Sequence, residues 1–188
     1  MRLLVPVLAI AAVAVLGMIA LQYEKRANEH RLAVVASEIA GRDVEVHCPG
    51  LMEKLADISP NAGSVYFDAQ GRPADYTDLN DETCSTLSDF AEGKTGPEDS
   101  LRVARALHVL AHESFHLAGV RGEADADCFG MQRVAYAAGR LGANPREAER
   151  LAAIARSDRV VSAPPDYRSP ACYDGGALDL DPASHTWP

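Results

Sequence analysis

His112-Glu113-Ser114-Phe115-His116 puts two imidazoles four residues apart with a carboxylate beside the first. On a helix, residues at that spacing share a face, with side chains roughly 5–6 Å apart. Both imidazoles then reach one Zn2+ at about 2.0–2.1 Å. Glu113 is placed to take the proton of a water on that metal and to deliver it later to a leaving amine, which is the logic of the H-E-x-x-H pattern. Glu123 follows His116 by seven residues, and Asp127 comes four residues later, so the two acids share a face of a following helix. The stretch Gly119–Gly122 permits a tight reversal between the helices. Glu123 can therefore be a third ligand, and Asp127 can hold a ligating histidine by its other ring nitrogen. The ordinary alternative is that acids in a first helical turn complement the dipole, which alone explains one or two of Glu123, Asp125 and Asp127.

The other polar candidates lack this support. His108 lies one turn up the same stripe, too far along the axis to share a metal with His116, and reads as a supporting or core histidine. His30, His47 and His185 have no partner spacing. Tyr66, Tyr136, Tyr173 and His185 are all candidates to stabilise a tetrahedral intermediate, and the sequence does not choose among them.

The motif needs a rigid helix, and the pattern provides one. Gly96-Pro97-Glu98-Asp99 puts proline at a first helical position and acids in the first turn. Leu101, Ala104, Leu107, Ala111 and Phe115 then recur at helical spacing, with Val103, Leu110 and Leu117 as a second apolar row, so this helix is central to the core. Gly119 is a terminator. A second helix is predicted from about Gly122 to Arg140, and a third starting at Asn144-Pro145-Arg146-Glu147. Upstream, residues 24–42 read as a helix, as do Leu51–Ala56 and Asn80–Glu92. Val65–Phe67 has strand propensity and Asp68-Ala69-Gln70-Gly71 reads as a turn, so a small hairpin or a single edge strand is expected here. From Ser162 onward the chain is proline-rich and aperiodic. The expected fold is mainly α, of the α+β class, with a small β element.

Composition sets the compartment and excludes some partners. The chain carries −9 over 188 residues; Arg2 is the only charge among the first 22, so the remainder carries −10. Such an acidic domain is repelled by phosphate backbones, and nucleic acid is not an expected partner. Leu3 to Leu21 has no charged side chain, about the length needed to span a bilayer. An uncleaved anchor over residues 1–22 is expected, with a cleaved signal as the competing reading, a juxtamembrane helix over 23–45 and an extracytoplasmic domain over 46–188. Cys48, Cys84, Cys128 and Cys172 all follow the apolar segment and form no C-x-x-C pair. An even count behind an export-like segment suggests two disulfides in an oxidising space.

HESFH followed by E-x-x-x-D in GEADADC resembles the zincin metallopeptidases, and within them the gluzincin type. The resemblance covers about residues 108–132. It implies His112, His116 and Glu123 as zinc ligands, Glu113 as catalytic base and Asp127 as support for a ligand, with a peptide or protein as substrate. The runs HESFHLAG…E…DC…Q and CYDGGALDLDP…WP are also similar to uncharacterised exported bacterial proteins of this kind. The sequence departs from the gluzincins in having only six residues between His116 and Glu123. The short gap and Gly119 are similar to metzincins, but the place of their third histidine is held by Gly122. Four cysteines allow three pairings. The expected one is Cys48–Cys84, tying two segments upstream of the central helix, with Cys128–Cys172 fixing the tail to the helix of Glu123 and Asp127. The function expected is zinc-dependent peptide hydrolysis outside the cytoplasm, with strand addition at Val65–Phe67. The alternative is a disulfide-stapled envelope binding module whose metal site is structural or vestigial.

Overall fold

A first helix, α1, runs unbroken from Leu4 to Ala40. The computed structural model describes residues 4–50, 53, 61–184 and 187, and within α1 the side chains of residues 4–12 and 14 fall outside the description. The expected membrane segment therefore lies largely outside the described side chains. Among the described residues no helix is long and apolar enough to cross a membrane. The two segments expected on either side of residue 22 are one continuous helix. Its second half is part of the domain: Leu32, Val35 and Ala36 are fully or nearly fully buried.

Gly41, at φ +69°, ends α1 and turns the chain into β1, Glu45–His47. Two further strands follow, β2 over Gly63–Ser64 and β3 over Tyr76–Leu79. The sheet order is β1-β3-β2, with β1 parallel and β2 antiparallel to β3, so β2 is an edge. The expected hairpin is present as the antiparallel pair β2–β3, but its first strand lies at Gly63–Ser64 and not at Val65–Phe67. Pairing stops at Ser64, and beyond it only Phe67 bridges back to Pro73. The turn between them is as expected: Gly71, at φ +77°, donates its N–H to the Asp68 carbonyl, and the Asp68 carboxylate accepts from the N–H groups of Gln70 and Arg72. The short helix expected around Leu51–Ala56 falls outside the described residues, Glu53 excepted.

The remaining helices begin where the capping signals place them. The Thr83 N–H donates to the Asn80 side chain at 2.8 Å and opens α2, Asp81–Ala91. A 3-10 turn at Pro97–Asp99 leads into α3, Ser100–Leu117. Then come α4, Glu123–Arg140, and α5, Pro145–Ser162, whose Glu147 N–H donates to Asn144. Helix α3 is the hub, packed on α1, α2, α4 and α5. Val103, Leu107, Leu110 and Leu117 are buried in it, with Leu101 at its open end half exposed. The α3–α4 crossing is unusually close. A Cβ on Gly130 would meet the His112 backbone nitrogen at 2.9 Å, so only glycine lets α4 approach there.

Both expected disulfides are present, Cys48–Cys84 and Cys128–Cys172. The second holds the aperiodic tail on α4. Gln132 adds a two-point clamp, donating to the Leu178 carbonyl and accepting from the Leu180 N–H, each at 2.8 Å.

Candidate metal centre

The end of α3 is built to present His116. Val120 N–H donates to the Phe115 carbonyl and Gly119 N–H to the His116 carbonyl, with Gly119 at φ +98°. This is a Schellman ending with glycine in the left-handed position. The same turn aims the Val120 carbonyl at His116 Nδ1, 2.7 Å away. A carbonyl only accepts, so His116 Nδ1 carries a proton, and Nε2 is the ring nitrogen left to offer a lone pair.

That lone pair faces the other candidates. His116 Nε2 lies 2.9 Å from His112 Nε2 and 3.4 Å from Glu123 Oε2, and His112 Nε2 lies 3.1 Å from the same oxygen. Donor atoms held tetrahedrally at about 2.0–2.1 Å from one ion are themselves roughly 3.3–3.4 Å apart. The two histidines are buried and Glu123 is half exposed, so the three close one side of a site and leave the other open to the cleft. Burial, then the nearby His108 and His116, pushes His112 down to about 4. It is therefore held neutral, the form that binds metal. The donor set fits a metal ion.

A second group, His108, His112 and Asp127, also gathers three donor atoms within 4.8 Å of one another. Its carboxylate is already engaged. Arg159 donates to Asp127 Oδ1, and a guanidinium bonded to a would-be ligand repels a cation. His108 Nε2 lies 3.2 Å from the Asp127 carbonyl, and burial, then Arg159, pushes it down to about 4. His108 thus supports the wall beside the site. Asp127 has a different role from the one expected: its hydrogen bond goes to Arg159 and not to a ligating imidazole.

Glu113 sits beside this constellation, and its buried Oε2 has no hydrogen-bond partner among the described residues. Burial first, then the Glu123 charge, pushes its carboxyl up to about 8. The edge strand passes directly over it. A Cβ on Gly63 would lie 2.7 Å from Glu113 Cγ and 2.8 Å from Oε1, so residue 63 has no room for a side chain. The histidines and Glu113 floor a cleft of about 450 Å³, with Gly63, Val65 and Phe67 along one wall.

The opposite wall comes from residues that the sequence did not nominate. Tyr167, in a 3-10 turn at Pro165–Tyr167, stacks on His112 with ring centroids 5.8 Å apart. Burial, then Glu123, to which its hydroxyl is hydrogen-bonded, pushes the phenol up. The Arg159 guanidinium lies 5.5 Å from the Tyr167 ring centroid. A signal for Arg159 existed. Ala148, Ala152 and Ala155 form the buried stripe of α5, and Arg159 continues it at helical spacing. An arginine on a core face implies a buried acid, here Asp127.

Of the tyrosines named above, Tyr66 and Tyr173 are exposed and Tyr136 donates to Glu38 on the outer surface. His185 lies outside the described residues. His47 stands between Glu45 and Asp78 at 3.2 and 3.3 Å and stacks on Tyr76, apart from the donor set. Comparison with protein-family models, curated proteins and solved structures finds no match to this chain.

Proposed function

We propose that this chain is a zinc-dependent peptide hydrolase of zincin type, anchored in a membrane by α1 with its domain on the extracytoplasmic side. The observation that carries the reading is the buried oxygen of Glu113, without a partner among the described residues, beside the donor set of His112, His116 and Glu123. A structural metal site has no use for an uncompensated carboxyl at its margin, whereas general-base chemistry requires one. Two imidazoles and one carboxylate with an open side suit zinc, which when bound acts as a Lewis acid and lowers the pKa of water to about 7.

The chain's own groups then have defined tasks. Glu113 receives the proton of the attacking water and passes it to the departing nitrogen. Its position under Gly63 places that transfer next to the edge of the sheet. The edge of β2, unpaired among the described residues, offers backbone groups to an extended peptide, and Val65 and Phe67 offer apolar contacts to its side chains. Tyr167 stands against His112 and Glu123, and its hydroxyl serves as the donor to the negative charge that develops on the scissile carbonyl.

The anchor reading rests on the uncharged run Leu3–Leu21 and on the surface it leaves open. Val15, Leu16, Met18, Ile19 and Leu21 are all exposed and point in directions all round the helix, so no single protein face would cover them. The absence of a break between that run and the core-packed half of α1 supports an anchor over a removed signal. Two disulfides support an oxidising compartment.

The test is metal analysis and turnover of the purified full chain. One zinc per chain, removable by chelator with loss of peptide cleavage, is expected. Glu113→Gln retains zinc and loses cleavage, because an amide cannot accept the proton. Undiminished turnover in that variant refutes the base assignment. Bound zinc in the wild type with no cleavage across a diverse peptide library favours a binding module.

A further inference from the structure

The metal cleft has a neighbour of about 630 Å³ that shares Gly63 and Ser64 with it, so β2 is the partition between the two. The far wall of this second cavity belongs to α1, through Lys25 and Glu29. Those residues follow closely on the last residue of the apolar run. Leu21 to Glu29 is eight residues, about 12 Å of helix axis. Tyr23, exposed, and Lys25 between them suit the headgroup layer, where an aromatic ring and a snorkelling ammonium are at home.

The domain is fixed rigidly to this stretch. The Glu29 carboxylate accepts the Cys48 N–H at 2.9 Å and pairs with Lys25 at 3.3 Å, and Asn28 reaches the Cys84 carbonyl. The Cys48–Cys84 disulfide therefore docks on α1 within two turns of the apolar boundary. Helix α1 has no linker between the apolar run and the buried Leu32 and Val35. Glu113 lies just across β2 from the cavity that α1 walls.

Resting on the anchored-hydrolase reading above, we infer that the substrate is a membrane-tethered polypeptide cut in its stalk, close above the bilayer that carries α1. The rigid helix sets the height of the edge strand, and it holds the cleft low. An extended chain advances about 3.3 Å per residue, so a height of about 12 Å corresponds to roughly four residues beyond the substrate's own anchor. Allowing for the width of the cleft, cleavage falls within about the first ten. Free peptides in bulk solvent, or sites held high above the surface, lose the advantage of shared tethering.

The experiment uses the full chain, loaded with zinc, in phosphatidylcholine vesicles with single-span peptides. Each peptide carries the same fluorogenic cleavage segment at about 5, 15 or 30 residues from its span; the soluble segment is assayed separately. The expected result is cleavage at least tenfold faster for the nearest position than for the farthest at equal surface density, with the soluble segment cut slowly. Equal rates at all three positions overturn the inference while cleavage of the soluble segment leaves the hydrolase intact. No cleavage of any form, soluble included, refutes the hydrolase reading and takes this inference with it. Inserting seven helix-forming residues between Tyr23 and Glu24 lifts the domain by about 10 Å and nearly preserves its facing. Across a finer series of peptides with the segment placed every two residues from about 3 to 15, the preferred position should then move outward by about three residues. An unmoved optimum also overturns the inference.

Discussion

Metal-free protein should be most stable near pH 6.5 and lose stability on both sides, and the alkaline loss should vanish in Glu113→Gln. In the fold Glu113 is held protonated up to about pH 8 by burial and by Glu123, whereas unfolded it ionises from about 4.5. Between those values the folded state binds the extra proton, so stability falls as pH rises. At about 1.36 kcal/mol per unit, the span from 4.5 to 8 has a ceiling of about 5 kcal/mol, of which about 2 kcal/mol falls between pH 6.5 and 8. His108 and His112 act in the opposite sense. Both stay neutral in the fold down to about 4 and protonate below about 6.5 when unfolded, so their contribution is lost as pH falls. From 6.5 down to 4.5 the two histidines outweigh the one carboxyl, leaving a net loss of about 2–3 kcal/mol. For a chain of this length 2 kcal/mol is roughly 4–8 °C in Tm. Thermal unfolding by circular dichroism in chelator, from pH 4.5 to 8.5, reads both limbs. Parallel profiles for wild type and Glu113→Gln above pH 6.5 would refute the assignment of the alkaline limb to this carboxyl. A flat alkaline limb in zinc-loaded wild type is expected as well, since a neighbouring cation favours the ionised carboxylate.

Further outcomes follow from individual contacts. Glu123→Ala should weaken zinc more than Asp127→Ala in a chelator competition, and Asp125→Ala should do little. Asp127→Ala should instead lower folding stability by about 1–3 kcal/mol in urea titration, because it leaves the partly buried Arg159 guanidinium without its partner. Gly63→Ala should retain zinc yet lower kcat, since the added Cβ has no room beside Glu113; wild-type kcat there would mean that the edge strand gives way freely. Replacing both Cys128 and Cys172 with alanine removes a staple 44 residues apart in sequence, worth up to about 4 kcal/mol by loop-closure entropy. It should also raise hydrogen exchange at Tyr167, and unchanged exchange there would mean that Gln132 and the contacts of Tyr167 itself hold the tail without the disulfide.

What the sequence made legible was local. Helix starts were marked by Asn80, Pro97 and Asn144, because a cap is chemistry between residues three apart. The donors His112, His116 and Glu123 were legible because two sit on one helix and the third follows a glycine turn. Arg159 and Tyr167 were not, since they reach the cleft only through the packing of α5 on α4, and Asp127 was assigned the wrong partner for the same reason. The edge strand was misplaced because propensity favours Val65–Phe67. Steric fit above Glu113 instead selects Gly63, a residue with poor strand propensity. The parallel pairing of β1 with β3 joins residues about thirty apart and left no local trace.

The two disulfides are consecutive in sequence, 48 with 84 and 128 with 172, and neither loop encloses a cysteine of the other. A domain that enters an oxidising space from its α1 end onward would expose Cys84 as the first thiol available to Cys48, before either later cysteine has emerged. Pairing in order of arrival is then pairing in the native pattern, and maturation needs an oxidant but no reshuffling of wrong bonds. Helix α3 lies between the two loops and inside neither, so each crosslink closes one flank of the cleft on its own schedule, the sheet side first and the tail side last.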